Sequence, residues 1–200
     1  MGRLTGVDMI EEEENYCVVK QITEDSGKNF DVVFRKIFFQ LEGIFNDLIK
    51  SLKKNDYVLM NSIEEQHDVV TKFVSYCLRL LNTGQVEKGH RHHICHILKN
   101  IDLIVDILKY FTRYVIENKI KFSKDVIVII EDIADLNKIY SKIFFDYKEE
   151  YLVDFDEKRE NIKKLEAKRT YSKRTYFVYL LPILEVERDM VATRLGMLES

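Results

Sequence analysis

Ile94-Cys95-His96-Ile97-Leu98-Lys99-Asn100-Ile101-Asp102-Leu103-Ile104-Val105-Asp106-Ile107-Leu108 is the stretch that decides the fold. Its apolar residues at 94, 97, 98, 101, 104, 105 and 108 follow the helical period, and Phe111 extends the stripe. The segment from Phe177 repeats the pattern. Setting Ile101 on Leu184 brings Ile94 onto Phe177, Ile97 onto Leu180, Leu98 onto Leu181 and Leu108 onto Val191. The same register lays Asp102 on Glu185 and Asp106 on Asp189. A helix carrying an acidic pair at the rim of its apolar stripe thus occurs twice.

Working outward, each copy closes a set of three helices. Phe30, Val33, Phe34, Ile37, Phe38, Leu41, Ile44, Phe45, Leu48 and Leu52 give a first helix a broad apolar face, which Asn55-Asp56 interrupts. A second helix carries Leu59, Ile63, Val70, Val74, Cys77 and Leu81 and stops near Thr83-Gly84. The third runs from about His90 to Asn118, and Leu103, Ile107 and Tyr110 give it a second apolar side, expected to lie against a neighbour or a second copy. Ser123 is the expected N-cap of a fourth helix through Ile127, Ile130, Ala134, Leu136 and Ile143. The fifth holds Leu152, Phe155, Ile162 and Leu165. The sixth holds Leu180, Leu184, Val191 and Leu195, with Pro182 expected to kink it. Before all of these, Tyr16 to Ile22 alternates with period 2 and is closed by Asp25-Ser26-Gly27, which predicts a short strand paired with Gly6 to Ile10 or with another subunit. The expectation is an all-α chain with a short N-terminal β segment (1–27) and two tandem three-helix units, 28–119 and 120–200.

Composition agrees. Seven Gly, one Pro and no Trp leave little turn chemistry for a many-stranded fold. A net charge of −3 gives no general attraction to nucleic acid or acidic lipid. The three cysteines, Cys17, Cys77 and Cys95, are an odd number and far apart, which argues against a disulfide framework and for a reducing cytoplasm. Neither a signal peptide nor a membrane-spanning run is read in the sequence, so direct membrane insertion is not expected.

Four acidic pairs spaced i,i+4 attract attention: Glu64/Asp68, Asp102/Asp106, Asp156/Glu160 and Glu185/Asp189. Such spacing stacks two like charges on one helix face, which costs a few tenths of a kcal/mol per pair unless a cation intervenes. With 34 acidic residues in 200, pairs arise by chance, so the weight lies in their repeat register. Carboxylates suit hard cations, and iron, zinc, manganese or magnesium are candidates. The alternative is a solvated face laced with ion pairs, since Lys99 and Lys109 lie three residues from Asp102 and Asp106. A second candidate is His90, His92, His93, Cys95 and His96, with His92 and His96 one turn apart, though it reads more simply as a histidine-rich helix start. The run Lys163-Lys164, Lys168-Arg169, Lys173-Arg174 is a possible contact for phosphate or an acidic partner, or a solvated face. No phosphate loop or nucleophile arrangement is visible, so no enzyme and no catalytic residue is expected.

At the acidic pairs the chain resembles the PhoU family of phosphate-uptake regulators, which carry an (E/D)xxxD pair on the second and third helix of each of two bundles. Ile101-Asp102-Leu103-Ile104-Val105-Asp106 and Leu184-Glu185-Val186-Glu187-Arg188-Asp189 match the spacing of the family's LERIGD-like segment. Val105 and Arg188 stand at its glycine, Ile107 and Met190 at the histidine that often follows. The resemblance implies a cytoplasmic regulator of phosphate transport or signalling that binds a transporter or signalling protein and forms a homodimer. It implies a divalent or trivalent metal held by Glu64, Asp68, Asp102, Asp106, Asp156, Glu160, Glu185 and Asp189. Leu4 to Ile10 also resembles the linker of archaeal PhoU-like regulators. In those it follows a SpoVT-AbrB-type domain, and DNA binding would need that domain. The alternative is a helical adaptor without metal, attached to an ion-transport system or a transcription regulator.

Overall fold

The computed structural model describes residues 7–12, 17–21, 29–86, 89–167 and 177–199. Among them the chain is a helical bundle of six helices: α1 Phe30–Lys54, α2 Tyr57–Asn82, α3 Arg91–Glu117, α4 Lys124–Phe145, α5 Glu149–Ala167 and α6 Phe177–Glu199. The backbones of β1 (Val7–Glu12) and β2 (Cys17–Gln21) run antiparallel, Val7 opposite Gln21 and Glu12 opposite Cys17.

Local chemistry sets the helix ends. Asn55 takes the left-handed conformation that closes α1, with φ of 53°, a region asparagine tolerates better than most side chains. Asp56 then caps α2, its Oδ1 accepting from the backbone N–H groups of Val58 at 3.1 Å and Leu59 at 3.0 Å. Two residues therefore turn the chain from α1 into α2. Ser123 occupies the expected cap position of α4, but its hydroxyl makes no capping bond; its carbonyl takes the amides of Val126 and Ile127 instead.

The stripe of α1 is buried as its period requires, from Phe30 through Ile37, Leu41, Ile44 and Leu48 to Leu52. α1, α3, α4 and α6 share one core: α1 packs on α3 and α4, and α6 packs on α3 and α4. α2 fills the outer groove of α1 and α3, while α5 lies chiefly on α4. α3 thus has neighbours on both flanks, but its second apolar side is covered only in part, at Ile107. Leu103 is 46% and Tyr110 52% exposed, because α2 and α6 meet α3 on either side of its main stripe and leave the outermost residues to solvent. Leu165, read as a core residue of α5, is likewise exposed. Pro182 lies inside α6, which continues on both sides of it. No described helix is long and apolar enough to cross a membrane.

Rings join α1 to α4. Phe38 stands 4.9 Å from Phe145 and 6.0 Å from Tyr140, and Phe34 stands 5.4 Å from Phe144, centroid to centroid. Cys77 of α2 is fully buried, and burial, helped by the negative charge of Asp31, pushes its thiol up to about 12. Of the buried polar side chains described, one is a carboxylic acid. Glu187 of α6 is 0% exposed, and burial drives its carboxyl well above the usual range.

Phe38→Ala removes a ring that touches four others, and a loss of about 3–5 kcal/mol is expected in urea unfolding. Glu187 yields a pH prediction. Its carboxyl is raised in the folded chain, so its contribution is complete below the ordinary carboxylate pKa and is lost as pH rises toward the folded value. Stability of wild type relative to Glu187→Gln should fall with rising pH above about 4.5, by at most about 1.4 kcal/mol per unit. Parallel pH profiles for the two proteins would contradict it.

Candidate functional site

α2 and α3 lie side by side, and their polar residues face each other along one seam. Glu64, His67, Asp68 and Thr71 occupy one edge of α2, and Asp102, Asp106, Lys109 and Arg113 occupy the facing edge of α3. Arg113 donates to both oxygens of Glu64, with Nε 3.1 Å from Oε2, and this bond holds the Glu64 carboxyl below its usual range. His67 fills the middle. It is 2% exposed, with Nδ1 3.0 Å from Asp68 and Nε2 2.9 Å from Asp106. Lys109, also buried, donates to Asp106 and lies 3.1 Å from Nε2 of His67. Burial would raise the Asp106 carboxyl, but Lys109 and His67 outweigh it and hold the group low. Thr71 donates to Asp102 at 3.1 Å, and Lys99 reaches its other oxygen at 3.4 Å. All four expected acids of this half meet at one seam, and each has a partner there, His67 being shared by Asp68 and Asp106.

The second half is arranged differently. Arg159 of α5 is 7% exposed and extends to α6, where Nη2 donates to both oxygens of Glu185 at 2.8 and 2.7 Å. Its Nε lies 3.4 Å from the Leu184 carbonyl and Nη1 3.4 Å from Glu160. Lys163 adds a contact to Glu185 at 3.2 Å. Burial pushes the Glu185 carboxyl up, while Lys163 and Arg159 bring it to a net lower value. Glu160 and Glu185 are thus brought together through Arg159. Asp156 and Asp189 are not: both are exposed and have no ion-pair partner among the described residues. Asp156 borders a surface depression with Glu160 and Lys164. Asp189 borders a groove floored by Leu181, Pro182 and Val186.

His67 and Arg159 are the residues that reading the sequence missed. Each directly precedes the second acid of its pair, in Glu64-x-x-His67-Asp68 and Asp156-x-x-Arg159-Glu160. A base three residues after the first acid lies on the same helix face, and its recurrence in both halves was the available signal.

Among the described residues no group of three or more His, Cys, Asp or Glu side chains converges as a set of metal ligands. The histidines at the start of α3 do not share one site: His90 opens the helix at φ of 60° with its ring 5.9 Å from that of His93, His92 is exposed, and His96 turns Nδ1 to Thr193 of α6 at 2.9 Å. Of the basic run, Lys163 and Lys164 are placed as above, while Lys168, Arg169, Lys173 and Arg174 lie outside the described residues. No protein-family model matches the chain, and no curated protein matches it.

Arg159→Met strips Glu185 of its principal counter-charge. Because Glu185 is half exposed, a modest cost of about 1–2 kcal/mol is expected. A double-mutant cycle with Glu185→Gln should recover most of that loss as coupling, and additive effects would show that the contact is unimportant.

Proposed function

We propose that this chain is a PhoU-like helical adaptor, with units 28–119 and 120–200 behind a short β segment, that regulates phosphate uptake or signalling by binding a partner protein. The helix packing supports a duplication. Exchanging α1 with α4, α2 with α5 and α3 with α6 carries the α1–α4 and α3–α6 contacts onto themselves, α1–α2 onto α4–α5 and α1–α3 onto α4–α6, although the close α2–α3 packing is not matched between α5 and α6. The observation that carries the mechanism is the pair of buried bases in matching sequence slots, His67 and Arg159. In this reading the chain's own side chains do what a metal would do in the resembled family: Lys109, Arg113 and Arg159 neutralise carboxylates, and His67 and Arg159 fix the relative position of two helices by hydrogen bonds. The carboxylates are then already taken, since an ion would have to displace Lys109 from Asp106 in one seam and Arg159 from Glu185 in the other. The role is non-catalytic and cytoplasmic, and a homodimer is consistent with the open side of α3.

A metal-assisted version is a second reading, favoured by the two acids, Asp156 and Asp189, that have no ion-pair partner among the described residues. Two measurements test the proposal. Adding Mn²⁺, Fe²⁺ or Zn²⁺ should leave the melting temperature of the wild-type chain unchanged, and a saturable upward shift would restore the metal reading. Capture from the native host under high and low phosphate should recover a phosphate transporter or sensor kinase. Recovery of an ion-channel subunit alone would remove the phosphate role.

A further inference from the structure

The interior has one polar locus that neither seam explains. Among the described residues, six buried side-chain atoms without a hydrogen-bond partner belong to four residues where α4 meets α6. They are both amide atoms of Asn137, the Tyr140 hydroxyl, both carboxyl oxygens of Glu187, and Nε of Arg194. These groups are neighbours. Asn137 acts on the Glu187 carboxyl, and Tyr140 feels both Glu187 and Arg194. They still do not satisfy one another, for neither amide atom of Asn137 reaches the carboxyl at hydrogen-bonding distance and angle.

Folded proteins rarely tolerate six such atoms dry at one point. The first half shows that the fold does not require them: the repeat register sets Glu187 on Ile104, which is fully buried and apolar. A cation is a poor occupant, because the locus offers a single carboxyl, raised by burial, and already holds the Arg194 guanidinium near Tyr140. Water suits a mixed set of donors and acceptors, each molecule making two to four bonds. Arg194 marks a way in, being only partly buried, with its guanidinium 5.4 Å over the ring of Phe144. Phe144 lines a cleft of about 280 Å³ beside Phe34 and Arg35 at the end of the bundle.

We infer that the α4–α6 contact is a built internal water site, in which about two molecules bridge Glu187, Asn137, Tyr140 and Arg194. The water supplies the bonds these side chains fail to make directly and gives α6 a directional attachment to α4 that apolar packing does not provide.

The test is oxygen-17 relaxation dispersion on the full chain, which counts long-lived internal water, together with water-to-amide cross-relaxation at the Asn137 side chain. Wild type should show about two more such molecules than the doubly apolar variant Asn137→Leu, Glu187→Ile, and a cross-peak at Asn137. Asn137→Leu combined with Glu187→Ile should remove both signals, while Glu187→Gln, which keeps a donor and acceptors, should retain them. Absence of long-lived water at Asn137 in wild type overturns the inference, as does an unchanged count in the double variant. Should that variant not fold, loss of the signal in Glu187→Gln would equally overturn it.

Discussion

A charge at the edge of an apolar core is tolerated only with its counter-charge beside it, and both polar seams of this bundle are built on that constraint. Four central helices need their stripes covered, which forces α2 and α5 onto the outside and brings acidic residues to the rim. There a carboxylate loses part of its hydration, and the loss is offset by a neighbour of opposite sign. In the first half Lys109 and Arg113 provide it, with His67 hydrogen-bonded between Asp68 and Asp106; in the second, Arg159 and Lys163 do. The helix-to-helix geometry follows from this pairing, because a guanidinium gripping both oxygens of one carboxylate fixes orientation as well as distance.

The two seams solve the same problem with different reach. A flat imidazole can sit between carboxylates on closely packed helices, as His67 does between Asp68 and Asp106. α5 and α6 are less closely packed, and the longer arginine side chain spans the gap to Glu185 and the Leu184 carbonyl. The wider spacing explains why Asp156 and Asp189 stay at the surface while Asp68 and Asp106 are drawn to a shared base.

Much of the fold was legible because a helical stripe reports directly which face is buried. The α1 stripe, the Asn55-Asp56 break and the stop at Thr83 all lie where residue type and period place them. Periodicity says less about how many neighbours a helix has. Of Leu103, Ile107 and Tyr110, which read as a second buried face, Ile107 packs in part on the core while Leu103 and Tyr110 are about half open. It says least about polar residues that are buried. Glu187, His67 and Arg159 look like ordinary surface charges in a chain rich in them, and only their tertiary partners distinguish them. The acidic pairs were visible in the sequence; the bases that complete them belong to contacts between helices.

Cys77 carries a last consequence. Thiol reagents attack the thiolate, and a thiol both walled in by α1 and α2 and shifted to about 12 offers almost none. While the bundle is closed that sulfur is chemically mute. It becomes alkylatable only when the second helix lifts away from its neighbours, so the chain carries its own reporter of opening, with no label to be engineered in.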